Sequence, residues 1–184
     1  MDTLSMPPAV WDDVHTYLDH GVERMAFLSA TPAQDACTGH DVWSVIDVMY
    51  LDDETDYELQ GSFGMELADD IRPRSLRWAT RHDASLIEVH SHGEGRQPTT
   101  FSRHDLRGLV EGVPGLVWRL RGRPYGALVF GGRRDFDGLV WHDRASPPAA
   151  LAKLTVGQHT FRATDLALER LTHLEVLHDQ PIHE

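Results

Sequence analysis

The chain has 184 residues, 41% hydrophobic and 25% charged, with a mean hydropathy of −0.37 and a net charge of −12. That is enough for one domain with a real core, while no apolar run approaches the roughly 18 residues of a membrane helix, and the acidic start MDTLSMPPAVWDD lacks the features of a secretory signal. The acidic balance argues against a nucleic-acid backbone as partner, and a lone cysteine, Cys37, excludes an internal disulfide and suits a reducing compartment, the cytoplasm by default.

In chain order, PPAVWDDVHTYLDHG places Val10, Val14, Tyr17 and Leu18 on one helical face and stops at Gly21. VERMAFLSA reads as a strand, then a turn-rich stretch, then VWSVIDVMYL as a second strand antiparallel to the first. SFGMELADDIRPRSLRWATRHDAS is expected to be mostly helical with a break at Pro73, and LIEVHSH to be a short strand running into the loop GEGRQPTT. SRHDLRGLVEG has Ser102 as N-cap, Leu106, Leu109 and Val110 as an apolar stripe and Gly112 as a stop. LVWRLRGRPYGALVFGG reads as a hairpin, DGLVWHD as a strand and LTVGQHTF as a last strand. TDLALERLTHLEVLHD carries Leu166, Leu171, Leu174 and Leu177 at helical spacing. The order mixes helices with meander-like strands, which predicts a single α+β domain over 1–184.

Chemistry concentrates in one stretch. Twelve histidines in this length give about 0.8 His-x-His pairs by chance, so His90-Ser91-His92 alone carries no weight. On a strand, however, residues i and i+2 share a face, with Cα atoms about 6.6 Å apart, and two such imidazoles can converge on one zinc ion. Catalytic zinc takes three protein ligands and keeps one position open. Asp105, one turn into the predicted helix, is the candidate third ligand; Ser102 and Asp105 are equally the pattern of a helix cap. His104 and Glu94 are nearby alternatives. A carboxylate that is not a ligand is then needed to take a proton from water activated by zinc. Two glutamates qualify, Glu88 on the histidine strand and Glu23 on the first strand, and periodicity does not choose between them. Cys37 has no activating histidine in view, and Trp141-His142-Asp143 reads as a strand end.

The set resembles the JAMM (JAB/MPN) metalloproteases: a Glu on an early strand, then His-Ser/Thr-His, then Ser-x-x-Asp. Glu23 sits in GVERMAFLSA, similar to the family's Glu-x-x-Gly-Phe-Leu-x-Gly with alanine for both glycines, followed by His90-Ser91-His92 and Ser102-Arg103-His104-Asp105. Gly93 stands where the family has proline, and nine residues rather than about seven precede Ser102. The resemblance covers roughly 9–143 and leaves 144–184 as a strand and helix extension. It implies a JAB/MPN-like domain, a mixed and mostly antiparallel curved sheet flanked by helices. It also implies zinc on His90, His92 and Asp105, with Glu23 as general base and then acid, and Ser102 as donor to the developing oxyanion. Glu88 then takes a structural role. The implied activity is an isopeptidase or peptidase acting at the C-terminal tail of a ubiquitin-like protein, the expected substrate and partner. Neither nucleic acid nor membrane is expected as a partner, and the oligomeric state, a homodimer included, is left open. The alternatives are a non-catalytic MPN-type scaffold, or a RadC-like or small-molecule amide hydrolase on the same frame.

Overall fold

The computed structural model describes residues 2–34, 41–62, 64–92, 98–131 and 135–178, with side chains described as far as 173. Ten strands and four helices form among them: β1 (Asp2–Met6), α1 (Pro8–Leu18), β2 (Met25–Gln34), β3 (Asp41–Tyr50), β4 (Tyr57–Gly61), β5 (Gly64–Leu67), α2 (Ile71–Arg81), β6 (Ser85–Ser91), α3 (Arg103–Arg119), β7 (Tyr125–Phe130), β8 (Phe136–Trp141), β9 (Ala149–Val156), β10 (His159–Arg162) and α4 (Leu166–His178). None of these helices is long and apolar enough to cross a membrane.

Seven strands pair in the order β1-β3-β2-β6-β7-β8-β9, and β9 returns to β1 in parallel, with Leu4 opposite Leu154. The sheet is therefore closed. This corrects the expected JAB/MPN-like architecture, an open curved sheet flanked by helices: what forms is a seven-stranded barrel with four short helices. The cause lies in two segments outside 9–143. DTLSM alternates buried and half-buried side chains as a strand facing a core does, and AALAKLTV supplies the strand that receives it. Together they join the two edges that would otherwise stay open, which removes exposed ladder groups.

The inward faces of all seven strands supply one apolar cluster, including Leu4, Trp43, Leu28, Ile87, Leu128, Val140 and Leu154, and α1 adds Val14 and Leu18 to it. Room inside is tight. A Cβ on Gly138 would stand 3.0 Å from Leu151. The outward faces of β2, β6, β7 and β8 form a second cluster with α2, α3 and α4. At about 1.5–3 kcal/mol for each large apolar side chain fully buried, these two cores outweigh weak local preferences.

Several local expectations are revised for that reason. Pro73 does not break a helix; it stands in the first turn of α2, where its missing N–H costs nothing. GMEL is strand β5, paired with β4 in a separate hairpin. The helix from Arg103 runs past Gly112 and through Pro114 to Arg119, so LVWRLRG is its end and not a strand. Its buried stripe, Leu106, Leu109, Val113, Leu116 and Val117, continues at helical spacing across both residues and overrides the roughly 3 kcal/mol proline penalty. LTVGQHTF folds as two strands about Gly157, whose φ is +58°. The side chains of Leu174 and Leu177 lie outside the described residues.

Candidate metal centre

Strand β6 is buried along its whole length and pairs antiparallel with β2 and parallel with β7. Parallel neighbours need a crossover, and α3 provides it. The crossover brings the start of α3 back to the carboxyl end of β6, where α/β crevices ordinarily form. His90 and His92 occupy that end, on the outward face of the ring and almost completely buried. Ser102 caps α3: Asp105 N–H donates to Ser102 Oγ at 3.1 Å, and Ser102 N–H donates to Asp105 Oδ2 at 2.7 Å. The capping reading of the Ser-x-x-Asp pattern is therefore seen, and the Oδ2 that the capping box holds is the one that faces the imidazoles.

His90, His92 and Asp105 form one group that can hold a metal ion. The two Nε2 atoms stand 3.3 Å apart, and Asp105 Oδ2 lies 3.2 Å from His92 Nε2 and 3.7 Å from His90 Nε2. Three ligands at about 2.0–2.1 Å from a tetrahedral ion are separated by about 3.3 Å, so the spacing fits such an ion. All of His90's polar contacts lie on the Nε2 side, since its buried Nδ1 has no partner among the described residues. Burial works to raise the Asp105 carboxyl, but the imidazoles of His90 and His92 and then Ser102 outweigh it and hold the group well below the usual carboxylate range. The carboxylate stays charged, as a ligand must.

Glu23 lies just before β2. In the β2–β6 register Met25 stands opposite His90, and Ser91 N–H donates to the Arg24 carbonyl, so Glu23 falls level with His92 and on the histidine face. Its backbone is held from the other side: its N–H donates to the Gly61 carbonyl at 2.9 Å, and Gln60 Nε2 donates to its carbonyl at 3.3 Å. Glu88 shares the strand face but is engaged. Arg72 Nη1 donates to its Oε2 at 2.9 Å, and the Tyr125 hydroxyl donates to the same oxygen. Burial, and then the Glu88 carboxylate, pushes the Tyr125 phenol well above its usual value, so it remains a donor. His104 lines the site from the solvent side and is not in the group of three. Glu94 and Cys37 lie outside the described residues.

A groove of about 1100 Å³ runs from Glu23, His90, His92, Ser102 and Asp105 along α3, past Gly108 and Gly112 to Arg119, with β5 and Arg72 as the opposite wall. A Cβ on Gly108 or Gly112 would meet nothing within 4 Å, so both glycines widen the groove. Sequence reading missed this wall, the Gln60 brace and the Arg72–Glu88–Tyr125 cluster. Two glycines four apart in an amphipathic helix were the available signal for the groove.

A second group, Asp2, Asp41 and His142, also clusters. There His142 turns Nε2 to Asp2 at 3.2 Å and Nδ1 to Asp41 at 3.9 Å, so the imidazole bridges two carboxylates, and Asp2 also accepts from Trp43 Nε1 at 3.2 Å. It fastens the end of β8 to β1 and β3 at the ring closure. No family model matches the chain, and no curated protein matches it either.

Proposed function

We propose that this chain is a zinc-dependent amide hydrolase, a peptidase or isopeptidase working with a JAMM-type set of residues, here carried on a closed barrel. The observation that carries the reading is the convergence of His90 Nε2, His92 Nε2 and Asp105 Oδ2 with edges of 3.2–3.7 Å at the end of a long groove. Two neutral nitrogens and one carboxylate are the donor set of a catalytic zinc site with an open position. A divalent cation held by them supplies Lewis acidity toward a carbonyl oxygen and makes water more acidic.

The chain's own residues account for the rest of the reaction. Glu23, on the histidine face and level with His92, accepts a proton from the attacking water and delivers it to the leaving nitrogen. The C–O bond forms first, the C–N bond breaks as the carbonyl re-forms, and water's two protons end on the products. Ser102 Oγ accepts from Asp105 N–H, which leaves its own proton to donate to the carbonyl oxygen as negative charge develops. An extended chain in the groove matches the segment preceding the scissile bond, and the substrate class proposed is the C-terminal tail of a ubiquitin-like protein or its conjugate to an amine. Metal analysis of protein purified without added zinc, together with turnover of Glu23→Gln, tests this. One zinc per chain and a loss of about 10²–10⁴-fold in turnover, with zinc and fold retained, are expected. A metal-free protein, or unchanged turnover in Glu23→Gln, removes the mechanism.

A further inference from the structure

Beyond the far end of the groove, α2 and α3 enclose a shallow recess of about 430 Å³ lined by Pro73, Leu76, Arg77, Thr80, Arg81 and Arg119. Three arginines line it, and among the described residues no carboxylate does. All three arginines are exposed, and none has an ion pair or hydrogen bond among the described residues. The other arginines near this end are engaged, Arg72 with Glu88, Arg74 with Asp56 and Arg123 with Asp83. In a chain of net charge −12 this is an unusual concentration of unspent positive charge. Helix ends account for Arg81 and Arg119, which complement the carboxyl ends of α2 and α3. They do not account for Arg77, nor for the absence of any acid between them.

Arg119 lines both the recess and the groove, so the two adjoin at its side chain. It follows Asp105 by 14 residues on the same helix, about 21 Å at 1.5 Å per residue. An extended chain advancing about 3.3 Å per residue covers that distance in about six residues. We infer that the recess is a docking surface for an acidic, partly apolar segment of a protein substrate, beginning about six residues from the bond to be cut, with carboxylates on Arg77, Arg81 and Arg119 and an apolar side chain over Leu76 and Pro73. Because the chain carries a net charge of −12, an acidic segment gains most where unpaired guanidiniums cluster. The inference rests on the hydrolase reading only for what lies at the other end of the groove.

The test is fluorescence anisotropy with a short fluorescein-labelled peptide of alternating Glu and Leu, its Gln-for-Glu counterpart and an oligothymidylate of the same length. The full-length protein is used in the presence of chelator. The acidic peptide is expected to bind, to weaken as salt rises, and to lose at least tenfold in affinity in the Arg77→Glu/Arg81→Glu/Arg119→Glu variant. The corresponding triple Gln variant, exposed at every position and expected to unfold at the wild-type temperature, should show an intermediate loss and carries the test if charge reversal prevents folding. Equal affinity in the Gln variant and wild type overturns the inference, as does equal binding of the uncharged peptide. Tighter binding of oligothymidylate overturns it in favour of a phosphate-backbone ligand. Because the assay excludes metal and turnover, failure here leaves the hydrolase reading standing, and failure of that reading leaves this result intact.

Discussion

Asp105 does two jobs with one oxygen, and substitution separates them. Its Oδ2 accepts from Ser102 N–H at 2.7 Å and faces His92 at 3.2 Å. In Asp105→Asn the amide oxygen can still accept from Ser102; what the metal-free variant loses is the charge facing His90 and His92 and an acidic group in the first turn of α3, the second worth about 0.3–1 kcal/mol. Asp105→Ala loses the reciprocal half of the capping box as well and should cost about 1–2 kcal/mol. Zinc discriminates between wild type and both variants. At free zinc 100 times the dissociation constant, ligand linkage stabilises the wild-type fold by about 2.7 kcal/mol. In a domain of this size that raises Tm by about 5–11 °C. If loss of the charged ligand weakens binding 100-fold, the same zinc concentration adds only about 0.4 kcal/mol, a shift of about 1 °C. Thermal unfolding of the three proteins with chelator and with buffered zinc measures this directly. A full zinc shift in Asp105→Asn would mean that the ion is held elsewhere, and the proposed centre would be wrong.

Other consequences follow from single residues. Ser102→Ala should lose about 1 kcal/mol of stability and about 10²–10³-fold in turnover, whereas Ser102→Gly, a tolerated cap, should keep stability within a few tenths of a kcal/mol yet lose the same turnover; parallel urea unfolding and kinetics separate cap from donor. Gly112→Ala adds a methyl group into open space on a helix and should raise Tm by about 2–4 °C. Gly112→Phe should instead raise KM through the blocked groove while the zinc-induced Tm shift is unchanged, and an unchanged KM would show that substrate does not lie along α3. At Asp56, burial opposes ionisation, but the bond from Arg74, at 2.5 Å, and then the Asp52 N–H outweigh it and hold the carboxyl below its usual range. A depressed folded-state value means the stabilisation is present above the unfolded value near pH 4 and is lost as pH falls through the folded one. The stability difference between wild type and Arg74→Gln, from urea midpoints, should therefore shrink between pH 7 and pH 3, and a constant difference would refute the assignment.

What could be read from the sequence divides along the range of the interactions involved. His90-Ser91-His92 and the Ser102–Asp105 cap are local patterns whose geometry follows from strand and helix periods, and the structure brings them together. The β2–β3 pair was legible because β3 is rich in Val, Ile, Trp and Tyr and β2 opens on the apolar run Met-Ala-Phe-Leu. Closure of the ring was not, since it depends on Leu4 meeting Leu154 across 150 positions, and five residues of DTLSM carry no local signal stronger than alternation. The end of α3 was misread because Gly112 and Pro114 are stop signals in isolation, whereas the buried Val113, Leu116 and Val117 decide the matter through tertiary packing. The choice between Glu23 and Glu88 was open on periodicity and came only from resemblance. In the fold Glu88 is held by Arg72 and Tyr125, and the register carries Glu23 level with His92.

The arrangement also bears on how a closed barrel can carry such a site. The two imidazoles stand at the end of β6, which pairs with the buried residues 25–30 of β2 on one side and with the buried β7 on the other, so their spacing is fixed by the ring. Asp105 belongs to a different element and is set by the Ser102 cap. Glu23 belongs to a third: its neighbour Arg24 accepts from Ser91 N–H on one side, and Glu23 itself donates to the Gly61 carbonyl and accepts from Gln60 Nε2 on the other. The hairpin itself is tied back, with Gln60 Nε2 reaching Asp53 at 3.2 Å and Asp53 paired with Arg24, the residue after Glu23. Catalytic geometry tolerates errors of about 0.5 Å only when supporting groups lock the reacting ones. Here the three candidate ligands rest on the rigid core, while the proposed base rests partly on a surface hairpin that also forms a groove wall. A segment pressing on β5 therefore acts on Glu23 through Gly61 and Gln60 without touching the three ligands. On the proposed reading, the groove wall is thus joined to the base at Glu23 and separate from the three candidate ligands.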